Sequence, residues 1–274
     1  MGLRSRSPST IIDIWGRKPQ LLAEVRERDL ADYVYTDPRN AVAKADVVVL
    51  CTPVQAMPDL AVAIAPSLTP GAIVTDVGSV KGCVQNLLGP IFGERFVGSH
   101  PMAGSERSGL TAARADLFVD APCIVTPVGS TNGKSLESII SFWTLLGASV
   151  TTMSPSAHDR VVARISHLPH ALAYALVCLT ASSLPAGSMH LAGGSFRDAT
   201  RVAASDPSLW TGIFNANREE LVAALREMSA ELESLAGNLE AKKTDSILDF
   251  LMRAGEHCHS HTKSATPKPI TEVS

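Results

Sequence analysis

Up to about residue 153 the chain alternates short runs rich in Val and Ile with stretches of helical spacing; beyond that point the alternation stops. The runs are TIIDIW (10–15), DVVVLCTPV (46–54), AIVTDVGSV (72–80), PCIVTPV (122–128) and ASVTTM (148–153). Between them, RKPQLLAEVRERDL, QAMPDLAVAIAPSL and KSLESIISFWTLLG carry apolar residues at helical spacing. Strands apolar on both faces need cover on both, and the intervening helices supply it. The pattern predicts an α/β domain with a doubly wound parallel sheet. Ligands of such sheets bind outside the carboxyl ends of the strands. Thr52 and Pro53 of CTPV, and Asp76, Gly78 and Ser79 of DVGS, are therefore expected to line a nucleotide crevice.

No strand candidate follows residue 153. SPSAHDRVVARISHLPHALAYALVCLTASSL reads as one long helix, opened by a Ser-Pro-Ser cap and interrupted by Pro169, which deprives the Ile165 carbonyl of its donor. A second long helix starts at Asp206-Pro207 and continues through WTGIFNANREELVAALREMSAELESLAGNLEAK. The second half is thus all-helical, and its long apolar faces call for a second copy of the same domain. From about Gly255 the periodicity is lost, and EHCHSHTKSATPKPITEVS is expected to be a disordered tail. Its His257, Cys258, His259 and His261 lack anything to fix ligand geometry, so no metal site is expected. The expected divisions are 1–153, 154–254 and 255–274.

Composition narrows the class. With 274 residues, 45% hydrophobic and 19% charged, the chain suits one large or two ordinary globular domains. A net charge of −3 gives no electrostatic reason to expect nucleic acid or an anionic membrane as partner. Five scattered cysteines without a CxxC pair read as mostly buried thiols in a reducing compartment, not as a disulfide frame or zinc site. No apolar run of about 20 residues is evident and MGLRSRSPST lacks a signal-peptide core, so a cytoplasmic protein is expected.

Chemistry-bearing side chains gather in five stretches. GSHPMAGSERSG (98–109) offers His100, Ser105 and Glu106; its glycines and Pro101 predict a stiff loop. DVGSVKG (76–82) offers Ser79 and Lys81, and AHDRVVARISHLPH (157–170) offers His158, His167 and His170. His167 and His170, three apart, share a helix face. GGSFRDATR (193–201) supplies Gly194 and Arg201, and SLW ends in Trp210.

Taken together, these strings resemble the prephenate/arogenate dehydrogenase family of tyrosine biosynthesis, in this order and at this spacing over roughly residues 10–245. The resemblance implies a Rossmann-like domain followed by a helical dimerisation domain. It implies oxidative decarboxylation of prephenate or arogenate, with a hydride passing to a nicotinamide as the ring becomes aromatic. His100 resembles the base that takes the hydroxyl proton, a task suited to a neutral imidazole. Ser79 resembles the hydroxyl that bonds both the substrate oxygen and that histidine, fixing its tautomer. Arg201 matches the carboxylate anchor, the natural role of a guanidinium fork. His170, or His167, matches a second substrate contact; Ser105, Glu106, Gly194, Trp210 and Lys81 match positions around the substrate. A surface ion pair for Arg201 and a core role for Trp210 are the bland alternatives.

Two departures from the family pattern stand out. No GxGxxG occurs in the 274 residues. The chain is therefore expected to start at an internal methionine, without the first strand and the phosphate loop that cradles a pyrophosphate, and to bind cofactor weakly. At the end of the second strand of the pattern, Gly16 takes the place of the acid that accepts from the ribose 2′-hydroxyl of NAD, and Arg17 and Lys18 follow. That favours NADP over NAD; alternatively both cations simply solvate the next helix. Two other readings remain: a different Rossmann-plus-helical β-hydroxyacid dehydrogenase, and a non-catalytic dimeric scaffold.

Overall fold

The computed structural model describes residues 1–104, 109–185 and 187–263, with backbone only for 260–263. Strands β1 (Asp13–Trp15), β2 (Tyr33–Tyr35), β3 (Val47–Leu50), β4 (Ile73–Asp76), β5 (Phe96–Pro101), β6 (Pro122–Thr126) and β7 (Ser149–Thr152) form two sheets. The smaller is a parallel β1–β2 pair, and the larger has the order β3-β4-β5-β6-β7. Helices α1 (Gly2–Arg6), α2 (Pro19–Glu27), α3 (Pro38–Val42), α4 (Met57–Ile64), α5 (Gly82–Phe92) and α6 (Gly133–Leu145) belong to this half. The second half contributes α7 (Pro155–Val162), α8 (Leu168–Ser183), α9 (Gly194–Thr200), α10 (Pro207–Ala216), α11 (Arg218–Glu240) and α12 (Thr244–Lys263).

Both faces of the larger sheet are covered, as the doubly apolar strands require. On one face Leu50 and Val74 pack with Met57, Ala61 and Ile64 of α4 and Val84, Leu88 and Phe92 of α5. On the other, Val97, Cys123 and Val125 pack with Ile139 and Trp143 of α6, joined by Val47 and Ile73. Complete burial of a side chain such as Leu88 or Ile139 contributes about 1.5–3 kcal/mol. The helical half docks through Val80 against Trp210 and Ile213, and Leu168 packs with Leu221 and Ala224.

Several expectations are corrected. The sheet is mixed, because β5 and β6 are antiparallel. Parallel neighbours need a crossover, usually a helix, and the described residues between β5 and β6 hold only a single 3-10 turn, Leu110–Ala112. β2 and β5 are strands where none was expected. β5 swallows the first part of the expected loop: every residue of FVGSHP is buried, and Pro101 leaves His100 in the extended backbone that a strand uses. The first long helix contains a π turn at Ala163–His167, just ahead of Pro169. The second is two helices, broken at Asn217 (φ −116°, ψ 36°). Helix α12 continues through Lys263, well into the expected disordered tail, because Leu248, Leu251 and Met252 start an amphipathic helix that the polar residues after Gly255 extend. Among the described residues no group of His, Cys, Asp and Glu is arranged to hold a metal ion. The combined run Pro155–Ser183, 29 residues with 28% of its apolar window buried, is long and apolar enough to cross a membrane by length and composition. The sequence reading missed this because charged residues and histidines crowd its first half.

Candidate active site

His100 sits on β5, 8% exposed, where the carboxyl ends of β4 and β5 meet the start of α7. Its Nδ1 lies 2.9 Å from Nε2 of His158, whose own Nδ1 lies 2.7 Å from Oδ1 of Asp159. The Asp159 carboxylate also accepts the backbone N–H groups of Lys81 (2.7 Å) and Gly82 (2.8 Å). A carboxylate only accepts, so His158 Nδ1 carries a hydrogen and its Nε2, in the neutral ring, is a lone pair. His100 must then donate from Nδ1, which leaves its Nε2 unprotonated. Burial, then the neighbouring His158 and Lys81, hold the His100 pKa well below the usual 6.5. The ring is a neutral base with one nitrogen free.

Beneath it lies a buried polar network. Lys81 Nζ is paired with Asp76 Oδ2 and donates to the Ser99 carbonyl at 2.8 Å. Asp76 Oδ1 accepts from Ser99 N (3.2 Å) and Oδ2 from Gly78 N (2.8 Å). Ser99 Oγ donates to the Asp76 carbonyl and accepts from the Trp143 indole at 2.9 Å. Gly98 makes room for this: a Cβ there would stand 2.6 Å from Thr126 Oγ1 and 3.4 Å from Lys81 Cδ. Lys81 and Asp76 have fully buried side chains. Lys81, expected at the substrate, and Asp76, expected at the cofactor, here spend their charges on each other and on β5.

The helical half brings the remaining histidines. His167 is 1% exposed, and Asn217 Nδ2 stands 3.1 Å from its Nδ1 while donating to the Asp159 carbonyl at 2.8 Å. His170 is half-buried, stacks on Trp210 (ring centroids 3.5 Å apart, 21° between planes) and donates from Nδ1 to the Ser166 carbonyl. Burial first, and the charge of Arg201 besides, lower the His170 pKa, which places Arg201 within electrostatic reach. Arg201 and Gly194 are exposed. Ser79 is half-buried at the end of β4, and His100 Nδ1 pairs with His158. Ser105 and Glu106 lie outside the described residues. His158 was visible in the sequence without a role. Asp159 carried no signal, whereas Asn217, a residue type that disfavours helix interiors, marked the break in its helix.

His167 gives a pH prediction. Burial pushes its pKa down to about 4, while an unfolded histidine titrates near 6.5. The unfolded chain therefore binds the proton first, and stability should hold above about pH 6.5 and fall as the pH drops from 6.5 towards 4. His100 and His158, both lowered, act in the same direction. A melting temperature that stays constant from pH 7 to pH 4 would contradict this.

The residues at the strand ends fit a dinucleotide in part. Thr52 Oγ1, just past β3, is buried without a partner, and Gly78 leaves no space for a Cβ, which would stand 2.8 Å from Asp76 Oδ2. Arg17 and Lys18, between β1 and α2, are exposed and pair with no carboxylate among the described residues. β1 and β3 belong to separate sheets.

Comparison with known proteins identifies relatives of both halves. Residues 2–152 match the model of the prephenate dehydrogenase nucleotide-binding domain, and residues 154–253 match that of the prephenate dehydrogenase dimerization domain. The cyclohexadienyl dehydrogenase of Zymomonas mobilis is 37% identical over 248 residues, 88% of this chain and 84% of that protein. The A. aeolicus prephenate dehydrogenase, solved with hydroxyphenyl propionate and NAD+, superposes with a TM-score of 0.89 at 32% identity, covering 94% of this chain and 92% of the other. Synechocystis arogenate dehydrogenase gives 0.81 at 29% identity over 95% and 94% of the two chains. With its α/β half and its helical half both matched and its fold shared over nearly the whole length, the chain belongs to the prephenate dehydrogenase family.

Proposed function

We propose that this chain catalyses the nicotinamide-dependent oxidative decarboxylation of prephenate to 4-hydroxyphenylpyruvate, or of arogenate to tyrosine, in tyrosine biosynthesis. The observation that carries it is the neutral His100 whose Nε2 is left unprotonated by the His158–Asp159 chain. A bound nicotinamide supplies the acceptor for the hydride that leaves the ring carbon bearing the hydroxyl. His100 takes the hydroxyl proton through Nε2, and returns it to the phenolate oxygen once carbon dioxide has left and the ring is aromatic. Ser79 bonds the same substrate oxygen. Arg201 anchors a substrate carboxylate, with His170 and the Trp210 face beside it; Ser105, Glu106 and Gly194 complete the pocket, and His167 supports it from behind. Thr52, Pro53 and Gly78 face the cofactor. The other dehydrogenase and scaffold readings lose ground because they leave this grouping of His100, His170 and Arg201 unexplained. Absorbance at 340 nm, followed with both substrates and both nicotinamides, tests the proposal; no reduction in any of the four combinations overturns it.

Arg201→Ala should chiefly raise KM, by about 10²-fold, since a carboxylate anchor acts on ground and transition states alike. An unchanged KM in a folded variant would return Arg201 to a surface role.

The preferred cofactor is NADP. Gly16 supplies no carboxylate for a ribose 2′-hydroxyl, and the Arg17 and Lys18 cations suit a 2′-phosphate. Gly16→Asp combined with Arg17→Gln should shift preference towards NAD by roughly ten- to a hundred-fold, because one carboxylate attracts the hydroxyl and repels the phosphate. A Cβ at Gly16 would stand 3.2 Å from Leu22 Cδ2 and 3.8 Å from its Cγ, so the end of the Leu22 side chain must give by a few tenths of an ångström. A wild-type preference for NAD refutes the assignment.

A homodimer is part of the same reading. Leu176 and Leu179 of α8, Leu232 and Leu239 of α11, and Leu248, Leu251 and Met252 of α12 are exposed. A second copy would cover such faces. Cys123 is buried, Cys83 half-buried, and Cys51, Cys178 and Cys258 are exposed, where mostly buried thiols were expected; neither nucleic acid nor membrane is part of this reading.

A further inference from the structure

We propose that His158, held by Asp159, is a positioning residue that fixes His100 in the tautomer with Nε2 unprotonated; this rests on His100 being the base. The resemblance gave that task to Ser79, but His100 Nδ1 donates its hydrogen bond to His158 Nε2, at 2.9 Å. Which ring nitrogen carries the proton is set by the bond the other one makes. Left alone, a neutral imidazole in water favours the hydrogen on Nε2, the wrong nitrogen for a base that faces substrate through that atom.

The anchoring is unusually complete. Asp159 receives three hydrogen bonds: from His158 Nδ1 at 2.7 Å and from the backbone of Lys81 and Gly82. Gly82 admits this approach because a Cβ there would sit 2.8 Å from Asp159 Oδ2. From the other side Asn217 donates to the Asp159 carbonyl. That bond also fixes the Asn217 amide orientation, since a backbone carbonyl only accepts. His158 is thus gripped by the start of α5 in the sheet half and by the α10–α11 junction in the helical half, with its ring fully buried. Such a grip holds a ring to a fraction of an ångström. When His100 gains a proton, the lone pair of His158 and the carboxylate behind it stabilise the imidazolium.

Two substitutions and one spectrum test this. His158→Met removes the acceptor at similar volume and should lower kcat by about 10²- to 10⁴-fold with KM within a few-fold, the range expected when the wrong tautomer dominates. His158→Gln places a carbonyl oxygen near the Nε2 position and should restore kcat to within about ten-fold of wild type, which a purely structural role does not predict. The ¹⁵N spectrum of His100, assigned by its loss in His100→Asn, should show the hydrogen on Nδ1 in wild type and in His158→Gln, and its transfer to Nε2 in His158→Met. An Nε2–H tautomer in wild type overturns the proposal even if every variant misfolds. If His100→Asn destroys turnover while His158→Met does not, the proposal fails and the base assignment survives. If His100→Asn turns over normally, the base assignment itself fails.

Discussion

His100→Asn should lower kcat by roughly 10²- to 10⁴-fold and leave KM within a few-fold, because it removes a proton acceptor and little binding surface. The expectation rests on the buried neutral ring and on the chain behind it, in which His100 donates from Nδ1. Asparagine can still present a donor towards His158, so folding should survive. The pH profile carries a second signature. A base must be unprotonated to work, and its folded pKa is held below 6.5 by burial first and by His158 and Lys81 next. Activity should therefore remain full as the pH falls to 6.5 and decline only at lower values. In His100→Asn the residual rate should lose that acid limb. Wild-type turnover in the variant, or an unshifted acid limb, would show that another group takes the proton.

Lys81→Met should destabilise the fold by about 3–5 kcal/mol, the cost of leaving one member of a buried ion pair alone. Asp76 would keep its bonds from Gly78 and Ser99 but lose the ammonium it is paired with, and the Ser99 carbonyl would lose its Lys81 donor. Replacing both members, Lys81→Met with Asp76→Leu, should recover much of that loss, because the desolvated charge disappears. Urea unfolding of the wild type and these two variants measures this directly. The folded fraction of Lys81→Met should bind substrate with a KM within a few-fold of wild type. A stable variant with a KM raised a hundred-fold would reinstate Lys81 as a substrate contact.

That corrected role shows where sequence reading stops. The alternation of Val/Ile runs with helical stretches sufficed to place strands β1, β3, β4, β6 and β7 and the change to helices after residue 153, because period and burial on both faces are local properties of the chain. The strings around His100, Ser79, His170 and Arg201 were likewise legible, since their order and spacing survive in one dimension. β5 was hidden because its glycine, serine and Pro101 read as punctuation; only the neighbours β4 and β6 make it a strand. The reversal of β6 depends on a pairing that no window of sequence contains. Lys81 looked like a crevice cation because its charge is written in the sequence, while its partner Asp76 and its complete burial are not. His158 reaches His100 from 58 residues away, Asp159 reaches the Lys81 backbone from 78, and Asn217 reaches Asp159 from 58. The sequence by itself determined which chemical groups were present and the class of fold that would carry them. Only the tertiary structure decided which nitrogen of His100 is left free, because a tautomer is set by hydrogen bonds between residues far apart in the chain.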